Sequence, residues 1–99
     1  MKYNINVLCE ANRDLYEIHE YLSEMGENAP KKFKSNYEKF IGQVSNMPFI
    51  FPQYAGKPNY RKAPIAYDYL AFYKVDKKRK TVEIYRILNS KRNIENELI

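Results

Sequence analysis

The spacing of apolar residues changes period along the chain. Residues 3–8, YNINVL, alternate weakly, as a short strand does. From about Ala11 the repeat lengthens. Leu15, Ile18, Leu22 and Met25 recur at three- and four-residue steps, which places them on one face of a helix. Asp14 and Glu17 lie near the start of this helix, where its macrodipole favours acids, and Gly26 ends it. Asn28 then has the character of an N-cap, with Pro30 tolerated in the first turn. Ala29, Phe33, Tyr37, Phe40, Ile41 and Val44 line one side of a second helix that runs to about Asn46. The short connection predicts an antiparallel helical hairpin.

Pro48, Pro52, Gly56 and Pro58 then punctuate residues 47–59, predicting a loop pinned to the core by Phe49, Ile50 and Phe51. Three strand candidates follow: YRKAPI (60–65), DYLAFYKV (68–75) and TVEIYRIL (81–88). Pro64 assigns the first to an edge, or ends it early. The second has apolar groups on both faces, Tyr69, Ala71, Tyr73 and Val75 on one and Leu70 and Phe72 on the other, which predicts a central strand. DKKRK (76–80) reads as a charged turn, and IENEL (94–98) as one helical turn. The order β-α-α-β-β-β implies one α+β domain over residues 1–99. An N-terminal strand and a helical hairpin precede a three-stranded antiparallel meander, with the helices packed on one face of a twisted sheet. The other face is expected to stand open or to be covered by a partner.

One residue breaks the pattern. Strict alternation through TVEIYRIL puts Thr81, Glu83, Tyr85 and Ile87 on one face and Val82, Ile84, Arg86 and Leu88 on the other. Arg86 thus interrupts an apolar face. A buried arginine is costly without a partner, so Arg86 is either structural, paired with a carboxylate, or functional, at a face open to solvent.

With 99 residues, 44% of them hydrophobic, the chain suits one globular core and no second. No apolar run approaches a membrane span and the N-terminus lacks the apolar core of a signal peptide, so the expectation is a cytoplasmic protein with no membrane partner. With one cysteine (Cys9) and one histidine (His19), no metal site is expected, and no motif calls for a cofactor. The net charge of +5 is unevenly spread. Residues 57–92 hold eleven basic and three acidic residues, whereas residues 1–56 hold six and seven. That asymmetry suggests an acidic or phosphate-bearing partner, or simply a solvated basic face.

Several segments, taken in order, resemble the RelE/ParE superfamily of bacterial type II toxins, and nearer its ParE-like branch. They are Ala11, Asp14, Leu15, Ile18, Tyr21 and Leu22 at the first helix; the Pro48 and Pro52 loop; YRK at 60–62; Tyr69, Phe72, Tyr73 and Val75; and the closing Val82, Ile84, Arg86, Ile87, Leu88 and Arg92. The resemblance implies a growth-inhibiting toxin, a cognate antitoxin that wraps it in a hetero-oligomer, and one of two targets. ParE-like members poison DNA gyrase; RelE-like members cleave mRNA on the ribosome.

Cleavage of RNA by its own 2′-OH needs a proton acceptor, a proton donor and cations for the charge gathering on phosphorus. Arg61, Lys62, Arg86, Lys91 and Arg92 are the candidate phosphate- or target-binding cations, and Arg61, Arg86 and Arg92, at basic positions of the superfamily pattern, are the candidate catalytic residues. They are expected to gather over one uncovered side of the sheet. The acid and base are less evident. Glu83 is a candidate base and Tyr85 or Tyr69 a candidate acid, although alternation sets Glu83 opposite Arg86. RelE-like nucleases typically carry arginine where this chain has Leu70, and a C-terminal tyrosine or histidine where this chain reads NIENELI. The activity expected from the resemblance is therefore gyrase inhibition. Ribosome-dependent endoribonuclease and a non-toxic nucleic-acid-binding module are the alternatives. Tyr60, Tyr67, Tyr69, Tyr73 and Tyr85 suit either base stacking or ordinary strand packing.

Overall fold

The computed structural model describes residues 2–98. The elements are β1 (Asn4–Val7), α1 (Cys9–Ser23), α2 (Asn28–Asn46), β2 (Arg61–Ala66), β3 (Tyr69–Asp76), β4 (Thr81–Asn89) and a single-turn α3 (Ile94–Glu97). They follow the sequence reading to within two residues at most boundaries. The strands form one mixed sheet in the order β1-β4-β3-β2. The meander β2-β3-β4 is antiparallel, and β1 lies parallel to β4, with Asn4 opposite Thr81 and Val7 opposite Ile84. β3 is central and β2, with Pro64, is an edge, as expected. Among the described residues no helix is long and apolar enough to cross a membrane.

The hairpin α1–α2 covers one face. Ala11, Ile18 and Leu22 of α1 and Phe33, Phe40 and Val44 of α2 are buried against Ala63, Ala71, Tyr73, Val82, Ile84 and Ile87 of the sheet. Phe40 is the hub: its ring meets Phe51 at 5.9 Å and Tyr73 at 5.7 Å. Fully burying one such side chain stabilises the fold by about 1.5–3 kcal/mol. Met25, assigned to the apolar stripe, is instead exposed, because α1 stops at Ser23 and Gly26 turns the chain with φ +112°. Asn28 is the first helical residue of α2 and not its cap; Glu27 precedes it without a side-chain capping bond.

Two expectations about the second face require correction. It is not open: Tyr60, Phe72, Leu88, Ile94 and Leu98 form a second buried cluster there, with Tyr54, Leu70 and Tyr85 against it. The chain supplies the cover itself, from loop 54–60 and α3. Nor does β4 alternate strictly. Phe72 pairs with Arg86 but Tyr73 with Ile84, so Tyr85 is the extra residue of a β-bulge. The bulge shifts the phase by one. Val82, Ile84 and Ile87 therefore all reach the helix-side core, while Tyr85 and Leu88 pack on the other face.

Candidate functional site

Arg86 sits beside the bulge, opposite Phe72, on the face covered by α3. Its guanidinium donates twice to Asp14 of α1, Nε to Oδ2 at 2.7 Å and Nη2 to Oδ1 at 2.9 Å. The Ile87 amide donates to the same Asp14 Oδ2 at 2.9 Å. Asp14 is therefore no helix-start acid: it is a buried acceptor that joins α1 to β4. Arg86 Nη1 also reaches the Glu97 carbonyl at 3.3 Å and Glu97 Oε2 at 3.2 Å. The side chains of Arg86 and Asp14 are 17% and 8% exposed. Bonding to Asp14 foremost, with the charges of Glu97 and Glu10 adding to it, raises the Arg86 pKa despite burial.

The other cations lie apart. Arg92 Nη2 donates to Glu97 Oε1 at 2.9 Å, so one carboxylate of α3 serves both Arg86 and Arg92. These two bonds, Arg92's foremost, hold the Glu97 pKa below its ordinary value. Arg61 is opposite Tyr73, on the helix side of the edge strand; its Nη1 donates to the Phe51 carbonyl at 2.7 Å and its guanidinium lies 4.9 Å from the centroid of Phe49. Its neighbour Lys62 is opposite Phe72 and reaches the Tyr54 ring at 5.7 Å, on the other face. Lys91 is exposed in the turn after β4. The expected gathering of all five on one side is thus not the arrangement found. The period-2 pleat sends Arg61 and Lys62 to opposite faces, and among the described residues only Arg86 and Arg92 of the five share a partner.

A cation that sequence reading passed over is better placed. Lys74 Nζ lies 4.6 Å from the Tyr60 ring and 4.7 Å from the Tyr85 ring, the two rings meeting edge to face at 5.2 Å. Two depressions adjoin at Tyr60, Tyr85 and Leu98. One, of 440 Å³, extends to Leu8, Glu10, Arg86 and Glu97. The other, of 780 Å³, extends to Lys57, Asn59 and Lys74. Glu83 pairs with Lys74 across the strands, so it lies on this same face. The bulge thereby overturns the expected separation of Glu83 from Arg86. Burial foremost, then Glu83 and Tyr60, raises the Tyr85 pKa, and burial raises that of Tyr60. Both phenols stay protonated at neutral pH and can donate. The tyrosines carried a signal in the sequence, as aromatics among cations; Lys74 carried none, because its partners come from β4 and the loop.

No sequence among the curated proteins matches this chain. Its fold is similar to several solved toxins. The chain shares 21% identity with a component of the RelBE2 toxin-antitoxin complex of Mycobacterium tuberculosis, over 90% of this chain and 99% of that one, with a TM-score of 0.66. It shares 15% identity with a mutant of the Escherichia coli toxin RelE in the free state, over 98% and 93%, with a TM-score of 0.68. With the chromosomal ParDE system of Pseudomonas aeruginosa the values are 17%, 89%, 96% and 0.63. Residues 6–94 match the family model described as the ParE toxin of the type II toxin-antitoxin system parDE. This chain belongs to the ParE toxin family, within the RelE/ParE superfamily of type II toxins.

Proposed function

We propose that this toxin acts by protein contact as an inhibitor of DNA gyrase, and that a cognate antitoxin neutralises it. The observation that carries the choice is the state of Arg86. A nuclease needs cations free to meet a phosphate, but Arg86 is engaged by Asp14 and Glu97, and Arg92 by the same Glu97. Freeing Arg86 would strand a buried carboxylate, at a cost of about 3–5 kcal/mol for removing one partner of such a pair. Arg86 is thus better suited to positioning α1 and α3 against β4 than to catalysis. The family match supports the same choice.

The antitoxin is expected to present an acidic and apolar segment to the groove around Tyr60, Lys74 and Tyr85. Lys62, by the Tyr54 ring, and Arg92, on Glu97, are the cations such a segment meets on that side, and Lys91 is proposed to join them from the exposed turn after β4. It reaches Arg61 only by wrapping the edge strand β2. Toxin-antitoxin complexes are among the structural relatives, which supports a partner of this kind.

One observation favours a second reading, ribosome-dependent mRNA cleavage: the bulge gathers Glu83, Lys74, Tyr85 and Arg86 on one face. Purified gyrase in a supercoiling assay and primer extension on translated mRNA separate the two. The expected result is lost supercoiling with no new mRNA ends. Discrete new ends with gyrase unaffected would reverse the assignment.

A further inference from the structure

We infer that the end of the molecule built by residues 47–50 and the β3–β4 turn is a second interaction surface, shaped for a protein that is acidic around an apolar pocket. On the gyrase reading, on which this part of the inference rests, that protein is the target and not the antitoxin.

Met47, Phe49 and Ile50 are 55%, 43% and 45% exposed. Three large apolar side chains within four residues form a projecting tip, and clustered exposed apolar surface marks contact sites. The tip is held from below. Pro48 is buried, and its carbonyl accepts the Tyr73 hydroxyl at 2.9 Å. Arg61, fixed by the Phe51 carbonyl, lies 4.9 Å from the Phe49 ring, and Lys77 Nζ lies 5.4 Å from it. A tip held in this way loses little freedom on binding, which favours affinity.

Around it stand Lys77, Lys78, Arg79 and Lys80, all exposed. Among the described residues only Arg79 of these has a carboxylate partner, Asp76 at 4.0 Å, while Lys80 lies 5.5 Å from the Tyr3 ring. A turn that only kept the domain soluble would not need an apolar tip beside it. The tip also distinguishes a protein from a nucleic acid. Phe49 already has two cations over its ring, which competes with base stacking, and Met47 and Ile50 offer nothing to phosphates or base edges. A pocket rimmed with carboxylates satisfies both halves of the patch. The turn and Arg92 lie at opposite ends of the nine-residue β4, about 30 Å apart, and the tip beside Arg61 lies on the helix side of the sheet, across it from the Tyr60, Lys74 and Tyr85 groove.

The test uses the full chain. Variant one combines Phe49→Ala with Lys77→Glu. Variant two combines Ile50→Ser with Lys78→Glu, and leaves the contacts under Phe49 intact should the first fail to fold. Each is checked for folding by circular dichroism, then for gyrase inhibition, growth arrest and antitoxin affinity. Loss of a hot-spot contact should weaken gyrase inhibition and growth arrest about tenfold or more, with antitoxin affinity within about twofold of wild type. Undiminished gyrase inhibition by a folded variant would overturn the inference, as would parallel loss of antitoxin affinity. If the wild-type toxin leaves gyrase untouched, the gyrase reading fails separately. Growth arrest then decides: unchanged arrest overturns the surface, and weakened arrest with intact antitoxin affinity supports it. Tight binding of a single-stranded oligonucleotide at physiological salt, lost in the same variants, would overturn the assignment to a protein.

Discussion

Arg86 and Asp14 meet in a two-point ion pair, Nε and Nη2 against the two carboxylate oxygens, at 2.7 and 2.9 Å. The pair ties the first helix to the last strand, and the Ile87 amide shares the same carboxylate. The same guanidinium then reaches the last helical turn through Glu97.

Removing one member should cost far more than removing both. Asp14→Leu alone is expected to destabilise by about 3 kcal/mol, because Arg86 keeps its charge and loses its main partner. The pair Asp14→Leu with Arg86→Met should lie closer to wild type than either single change. Urea denaturation of the four proteins gives the coupling directly. Additive single effects would show that the two side chains act independently.

Glu97 makes the docking of α3 sensitive to acid. Its folded pKa is depressed below the ordinary 4.5 by Arg92 and Arg86. A group depressed on folding lends stability above its unfolded pKa, and that stability drains away as pH falls through the folded value. Stability should therefore decline below about pH 4.5, and Glu97→Gln should flatten that limb while lowering stability at neutral pH. Thermal melts between pH 3 and 7 on both proteins are the measurement.

At the alkaline end the informative group is Tyr73. Burial foremost pushes its pKa up to about 12, partly offset by the Phe51 backbone and the Arg61 charge. For a group raised on folding, stability is complete below the unfolded value of 10 and is lost as pH rises towards 12. Tyr73→Phe should remove that alkaline loss. It should also give up about 1 kcal/mol at neutral pH with the bond to the Pro48 carbonyl.

Gly56 has no room for a side chain. A β-carbon there would come within 2.9 Å of the Tyr54 ring and 2.5 Å of Glu95 Oε1. The Glu95 tip can swing away, but Tyr54 packs on Phe72 at 5.4 Å and cannot move freely. Gly56→Ala is expected to cost about 1–2 kcal/mol, a fall in Tm of roughly 4–16 °C for a domain this size.

Arg92 and Arg61 test the antitoxin footprint. Arg92→Glu repels Glu97 and any acidic partner, and should weaken antitoxin affinity about tenfold, 1.4 kcal/mol by the usual conversion. Arg61→Glu should do so only if the antitoxin wraps β2. Titration calorimetry with each variant distinguishes a segment confined to one face from one that encircles the edge.

Period and punctuation made most of the architecture readable. Helical spacing located α1 and α2, Pro64 marked the edge, and the two-faced pattern at 69–75 marked the central strand. Reading failed at Tyr85, where one extra residue changes the phase of β4; no local composition announces a bulge that depends on how β3 pairs. It failed at Asp14 for a related reason. An acid in the first turns of a helix suits the dipole, and only the return of β4 reveals the buried arginine it serves. The expected convergence of the five cations failed, because neighbouring residues in a strand project to opposite faces. Lys74 was missed because its tyrosine partners come from β4 and from the loop before β2.

The parallel pairing of β1 with β4 has a consequence for how the toxin comes into being. Asn4 finds its strand partner Thr81, and the Lys80 carbonyl to which its amide donates at 2.8 Å, only after most of the chain has been made. Contacts so distant along the sequence slow folding. A nascent chain that ends before β4 holds a helical hairpin with little sheet to cover and an Asp14 with no guanidinium to meet. The complete fold therefore arises late in synthesis, all at once, when β4 joins β1 to the rest of the sheet.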